Sequence, residues 1–260
     1  MRRLSGLQNL CSLKRLSRVV AIPLAPILIV QARLLRRAIP RLPDATLPWT
    51  GSVTGALPIR LLVLGDSTAA GVGADTQIDA LPGNLARQFA ERFGRGTEWT
   101  AIGENGATAR DLLERYIGAA TVVSYDVVFL SIGANDALSL RSRGAFGRDV
   151  RQLVDRLRAA SPDAVILVSL MPRFDRFASL FNPLRWNLAL HAASLDDGAR
   201  ATIAGLRGVF AIPKPPPYTP SFWASDGFHP GPSGYREWIE FALRSVPQEL
   251  FWRLEAVLFE

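Results

Sequence analysis

The sequence predicts an α/β fold in three layers, with helices on both faces of a central, mostly parallel five-stranded sheet. Three observations predict it. Short apolar runs alternate with segments of helical spacing from Ile59 onward, and strands alternating with helices pair in parallel because each crossover lays a helix on a sheet face. The runs carry apolar residues almost continuously, as strands buried on both faces require. At 260 residues and 48% hydrophobic content, the chain can bury one large core, and a single α/β domain with an appendage fits its length better than two domains.

The elements follow in order. Ile59 to Leu64 is the first strand, Pro82 to Phe93 a helix through Leu85, Phe89 and Phe93, and Glu98 to Ile102 the second strand. Thr108 to Ile117 has helical spacing in Leu112, Leu113 and Tyr116, and Asp126 to Ile132 is a buried strand. Gly147 to Ala160 is amphipathic through Val150, Leu153, Val154 and Leu157, and the strand Ala164 to Leu170 follows. Asn187 to Leu206 reads as a helix, Val209 to Ile212 as the last strand, and Gly231 to Leu243 and Gln248 to Phe259 as closing helices. Pro215-Pro216-Pro217 reads as a stiff loop.

Charge divides the chain. The net charge is +7, but nine of the 30 Lys and Arg lie in residues 1–43, which hold no acid, so the other 21 face 23 acids. A basic tail on a near-neutral body suits a membrane surface or a targeting signal and argues against a nucleic-acid-binding face. Cys11 is the one cysteine and permits no internal disulfide. Val19 to Val30 carries no charge over twelve residues, about 18 Å as a helix against roughly 30 Å of hydrocarbon. Pro23 and Pro26 interrupt it and arginines or lysines flank it on both sides. Those features predict an in-plane anchor on an anionic membrane, with the domain on the cytoplasmic side. The competing reading is a secretory signal cleaved after Val30-Gln31-Ala32 and an exported product; a third is an amphipathic helix packed on the domain. Residues 44–58, with Pro48, Gly51, Gly55 and Pro58, read as a linker, and residues 59–260 as the domain.

Four stretches lie just past strand ends, the edge at which open α/β sheets bind ligands. Gly65-Asp66-Ser67 ends the first strand; alone it is equally a turn and a helix cap. Asn105-Gly106-Ala107-Thr108 follows the second strand, where Gly106 could present a bare backbone N–H. Gly133-Ala134-Asn135-Asp136 follows the third, and Ser225-Asp226-Gly227-Phe228-His229 the last. A serine nucleophile needs a base and an acid that fixes the base's tautomer, and Ser67, His229 and Asp226 supply all three. The other histidine, His191, sits in a helical stretch and reads as a packed or surface helix residue.

These four blocks, in this order, resemble those of the SGNH hydrolases, also called GDSL-type esterases and lipases, over about residues 59 to 245. The resemblance implies their flavodoxin-like fold and a serine ester hydrolase, with Ser67 as nucleophile, His229 as general base and acid, and Asp226 orienting the imidazole. The oxyanion hole would be the backbone N–H groups of Ser67 and Gly106 with the Asn135 amide. Thr68 departs from the Leu of many members. No cofactor or metal is implied: the sequence has no Cys/His cluster, phosphate loop or dinucleotide fingerprint. Phe174, Phe177 and Trp186, with Phe222 and Trp223, are candidates for an acyl pocket, which favours a lipid-like or small acyl ester as substrate. The family's breadth keeps carbohydrate deacetylation, thioester cleavage and acyl transfer open. A reading of another class is a membrane-anchored binding protein with a vestigial site, which turnover of a p-nitrophenyl ester against Ser67→Ala would separate.

Overall fold

The computed structural model describes residues 14, 16–215 and 218–256. Arg2, Arg3, Cys11 and Arg15, the prolines 216 and 217, and the end of the expected last helix beyond residue 256 lie outside these. Six strands form one sheet: β1 (Thr50–Val53), β2 (Ile59–Gly65), β3 (Thr97–Gly103), β4 (Val127–Ser131), β5 (Val165–Ser169) and β6 (Val209–Ala211). Their order is β1-β3-β2-β4-β5-β6, parallel throughout except for the antiparallel β1–β3 pair. The five expected strands are therefore joined by a sixth, drawn from the stretch that composition reads as a linker. Gly51 is there for contact, because a Cβ on it would lie 2.4 Å from the Trp99 ring. An edge strand laid flat on an indole needs glycine for close approach and not for flexibility.

Side chains of β2 alternate between two cores. Leu62 and Leu64 face one, Ile59, Leu61 and Val63 the other. The second core is covered by α2 (Leu81–Phe93), by the helix Pro232–Arg244 and by the C-terminal turn around Phe251. The first is covered by α3 (109–120, with a π-helical turn at Leu112–Tyr116), by α5 (Arg143–Ala160) and by α6 (Leu184–Ile203). The short helix α4 (Ala134–Leu138) falls inside the third sequence block, where only a loop is expected. Helix α5 starts four residues before the expected Gly147 because the Ser142 hydroxyl caps it by accepting from the Ala145 N–H.

The largest departure is in the tail. Ser17–Ala38 forms one helix, α1, through Pro23 and Pro26. Both prolines lie on the exposed side, so the amides they lack come from the solvent face and the packed face is undisturbed. At 22 residues α1 is long and apolar enough to cross a membrane by length and composition, which the charge-free run alone is not. In the structure it packs on α6, burying Ser17, Ala21 and Leu28. The Ser17 hydroxyl lies 2.9 Å from Nδ1 of His191, and Lys14 Nζ donates to Asp197 at 2.8 Å.

Candidate active site

The strand register sets the site. Gly65 is opposite both Gly103 and Ser131, and Ser131 is opposite Ser169, so the central strands end together and Ser67 stands just above their carboxyl edge. The turn that carries Ser67 is held from below. Asp66 N–H donates to the Ser131 carbonyl at 3.2 Å, and Val72 N–H returns to the Ser67 carbonyl at 3.0 Å. The Asp66 carboxylate points inward and accepts from the Thr68 N–H and hydroxyl, each at 3.1 Å. Burial raises its pKa against those hydrogen bonds. The Thr68 hydroxyl is also 2.8 Å from Ser131 Oγ, so the residue that departs from the usual pattern ties the serine turn to β4.

His229 reaches Ser67 from the opposite loop. Its Nε2 is 3.1 Å from Ser67 Oγ and its Nδ1 2.6 Å from Asp226 Oδ2. Asp226 Oδ1 accepts the backbone N–H groups of Phe228 and His229 at 2.9 and 3.0 Å. Burial pushes the Asp226 carboxyl up, but the hydrogen bonds from the His229 ring and from the two backbone N–H groups outweigh it and hold the pKa below the ordinary value. An ionised carboxylate in that position fixes the Nδ1–H tautomer and leaves Nε2 to accept the serine proton. Behind the loop runs α7 (Pro232–Arg244), and its buried Tyr235 donates to the Val72 carbonyl at 2.7 Å, joining the histidine loop to the serine turn.

Gly106 adopts φ +91°, a left-handed conformation in which a side chain would strain the backbone. Among the described residues nothing lies within 4 Å of where its Cβ would be, so the backbone angle and not crowding demands glycine. The Asn135 Nδ2 donates to the Ala107 carbonyl at 3.0 Å, which uses one of its two N–H groups and leaves the other for the cleft that Asn135 lines. Asp136, fully buried, accepts the Ala109 N–H at 3.0 Å and lies 3.2 Å from Arg141 Nε. That contact is close enough for an ion pair but off the line of a hydrogen bond, and both atoms are otherwise unpartnered among the described residues. Burial raises the Asp136 pKa to about 7 against the opposing Ala109 and Arg141 contributions. Asp136 thus bridges the Asn135 segment and the start of α3, just beyond Gly106.

Ser67 and His229 open into a cavity of about 180 Å³ walled by Met171, Phe177, Tyr218, Phe222, Trp223 and Phe228. Three of the five expected pocket aromatics are here: Phe177, Phe222 and Trp223. Phe174 is not; it is buried beneath Phe177, ring centroids 5.2 Å apart. Trp186 is not either. Because α6 begins at Leu184, Trp186 turns to the outer surface beside Leu24 of α1 and stays 45% exposed. Asn105, not Gly106, lines the cavity where the second block meets it.

The model of the GDSL-like Lipase/Acylhydrolase family matches residues 63–237, two thirds of the chain. The chain belongs to that family. Members of that family are described as lipases and acylhydrolases. GDSL-like esterase Rv1075c of Mycobacterium tuberculosis is 28% identical over 214 residues, 78% of this chain and 66% of that protein, so the chain spans just under two thirds of that relative's length. Among solved structures, the lipase Lip_vut3 from a goat rumen metagenome aligns with TM-score 0.59 at 13% identity, covering 74% of this chain and 99% of that one. TesA aligns at 0.58 and 18% identity, with the same coverage. At those identities the likeness is one of fold.

Within this GDSL-like fold, Tyr218, Met171, Phe228, Tyr235 and Asp136 escape sequence reasoning. Each acts across loops: Tyr218 stacks on Phe222 with ring centroids 4.3 Å apart and its hydroxyl accepts the Arg173 N–H at 3.0 Å. Asp136 and Phe228 left a signal, as the neighbours of the candidates Asn135 and His229.

Proposed function

We propose that this chain hydrolyses acyl esters with Ser67 as nucleophile, His229 as general base and then general acid, and Asp226 as the group that orients His229 and stabilises its charged form. The observation that carries the reading is the Ser67–His229–Asp226 relay, 3.1 and 2.6 Å, opening into an apolar cavity. Ser67 Oγ attacks the acyl carbonyl and gives its proton to His229 Nε2. The tetrahedral oxyanion is met by the Ser67 and Gly106 N–H groups and the second Asn135 N–H, and His229 returns the proton to the leaving alkoxide. Water then repeats the sequence on the acyl-enzyme.

A wall that is mostly aromatic and apolar, with the acid Asp66 turned onto Thr68, favours an acyl chain over a sugar in the cavity. At about 180 Å³ the space is close to the roughly 150 Å³ that accommodates a benzene ring, so short to medium acyl groups fit and longer chains must protrude. The test is a fluorophosphonate probe together with a p-nitrophenyl ester series graded by acyl length. Labelling should map to Ser67, fall away in His229→Ala and persist in His191→Gln, with turnover highest for short to medium chains. Labelling that survives His229→Ala unchanged would overturn the relay.

A further inference from the structure

The side of α1 turned away from α6 is apolar and open. Val19, Ile22, Ile27, Ile29, Val30 and Leu34 are each about half exposed or more, Ile22 at 69%. Soluble monomers seldom leave so many large apolar side chains side by side in water. The surface continues onto the body. Leu24 shares a shallow depression with Trp186, Pro183, Arg185 and Asp175, whose charge is paired with Arg173 and Arg176, and next to them Phe181 is 72% exposed. Arginine surrounds this apolar strip: Arg18 at one end and Arg33, Arg36, Arg37 and Arg41 toward the other are exposed. Among the described residues none of the five pairs with a carboxylate, whereas Lys14, on the docked side, does.

From this we propose that the outer face of α1, together with Phe181 and Trp186, is a docking surface for an anionic lipid membrane, on which α1 lies in the plane while it stays packed on α6. The charge ring selects the occupant. A second copy of the chain on the same face would bring two sets of arginines together, whereas lipid phosphates neutralise them. Aromatic side chains at the border between apolar strip and water suit the headgroup level. A spanning α1 would have to leave α6, giving up the buried Ser17–His191 contact. It would also give up the two hydrogen bonds of Gln31, whose Nε2 donates to the Asn182 carbonyl at 2.9 Å and whose Oε1 accepts the Leu184 N–H at 3.0 Å. The same Gln31 contacts fix the end of the segment that begins at Leu170 and supplies Met171 and Phe177 to the catalytic cavity. The docking surface and the cavity wall are therefore joined through one continuous segment. The surface stands independently of the catalytic relay.

The full chain should co-sediment with vesicles of phosphatidylcholine containing phosphatidylglycerol and much less with phosphatidylcholine alone, the difference shrinking as salt rises. Each arginine near an anionic surface contributes about a fivefold factor, so Arg36→Gln, Arg37→Gln and Arg41→Gln together should weaken binding about 100-fold. Phe181→Ser with Trp186→Ser should weaken binding to both vesicle types. Turnover of a soluble p-nitrophenyl ester should be unchanged in all these variants, which separates a failed surface from a failed fold or a failed relay. Equal binding to both vesicle types, or none, would overturn the proposal. So would a lipid-free dimer that Phe181→Ser and Trp186→Ser dissociate, which would make a second copy the occupant. Spanning is tested in a Cys11→Ser background with Leu16→Cys or Ala38→Cys in intact cells. An impermeant maleimide that reaches both ends or neither supports the in-plane helix, and one that reaches a single end refutes it.

Discussion

Acid should loosen α1 from the body, and the amount follows from one side chain. His191 is 1% exposed, its Nδ1 faces the Ser17 hydroxyl at 2.9 Å, and its Nε2 has no partner among the described residues. Burial, and after it the nearby Arg18 charge, lower the imidazole pKa from 6.5 to about 4. A histidine depressed in the docked state is protonated first in the undocked one, so its support for docking is complete above pH 6.5 and is lost as pH falls from 6.5 toward 4. Between pH 7 and pH 5 the docking equilibrium should fall by at most about 20-fold, or about 2 kcal/mol, the limit reached when undocking hydrates the imidazole fully. Hydrogen exchange across Ser17–Ala38, corrected for the intrinsic pH dependence of exchange, reads this directly. His191→Gln keeps a hydrogen-bonding partner for Ser17 but cannot titrate, and its α1 protection should be nearly flat over the same range. Protection in the wild type that does not change with pH, or that changes equally in His191→Gln, would refute the reasoning.

Asn135→Ala should lower kcat by about 100- to 1000-fold through loss of an oxyanion donor, and should cost only about 1 kcal/mol of stability for the bond to Ala107, read by urea denaturation. Asp136→Asn should remove a pH dependence of stability. With the folded pKa raised from 3.8 to about 7, the wild type should lose stability relative to the variant as pH rises through that interval, which melting curves from pH 4 to 8 will show. Thr68→Val keeps shape but drops the hydroxyl that binds Asp66 and Ser131, and should cost about 1 kcal/mol of stability with a smaller kcat, checked by denaturation and ester turnover. Gln31→Ala should raise α1 exchange at neutral pH by about tenfold, from two hydrogen bonds of about 1 kcal/mol each, part of which water recovers.

What the sequence revealed and what it hid have different physical origins. The five parallel strands are legible because burial on both faces leaves an apolar run that no other constraint disguises, as in Leu61 to Leu64. Asp226 and His229 are legible because three residues of separation bring them together locally, and Ser67 because it closes a core strand. Strand β1 is not, since Thr50-Gly51-Ser52-Val53 has no apolar run and its glycine answers to Trp99, a residue far along the chain. The continuity of α1 is hidden by prolines that happen to face outward. The acyl wall was legible only in part: Phe222 and Trp223 sit next to the Asp226 loop in sequence, whereas Tyr218 and Met171 reach the cavity through loop packing. Trp186 was misplaced for want of a helix start, because beginning α6 at Leu184 turns that ring toward α1.

The chain just after α1 bears on what happens once the helix lets go. Ala45 N–H is bonded to the Ala70 carbonyl and Thr46 N–H to the Asp75 carbonyl, both at 2.9 Å, on the loop that follows Ser67. Between Ala38 and that attachment lie residues 39–44, a leash that reaches about 20 Å when fully extended. A released α1 therefore stays near its groove at an effective concentration of roughly millimolar or above, and redocking needs no encounter in solution. The same leash limits how far the serine turn can stray from whatever holds α1. Substrate arriving by that route would be drawn from the nearest patch of surface before the bulk.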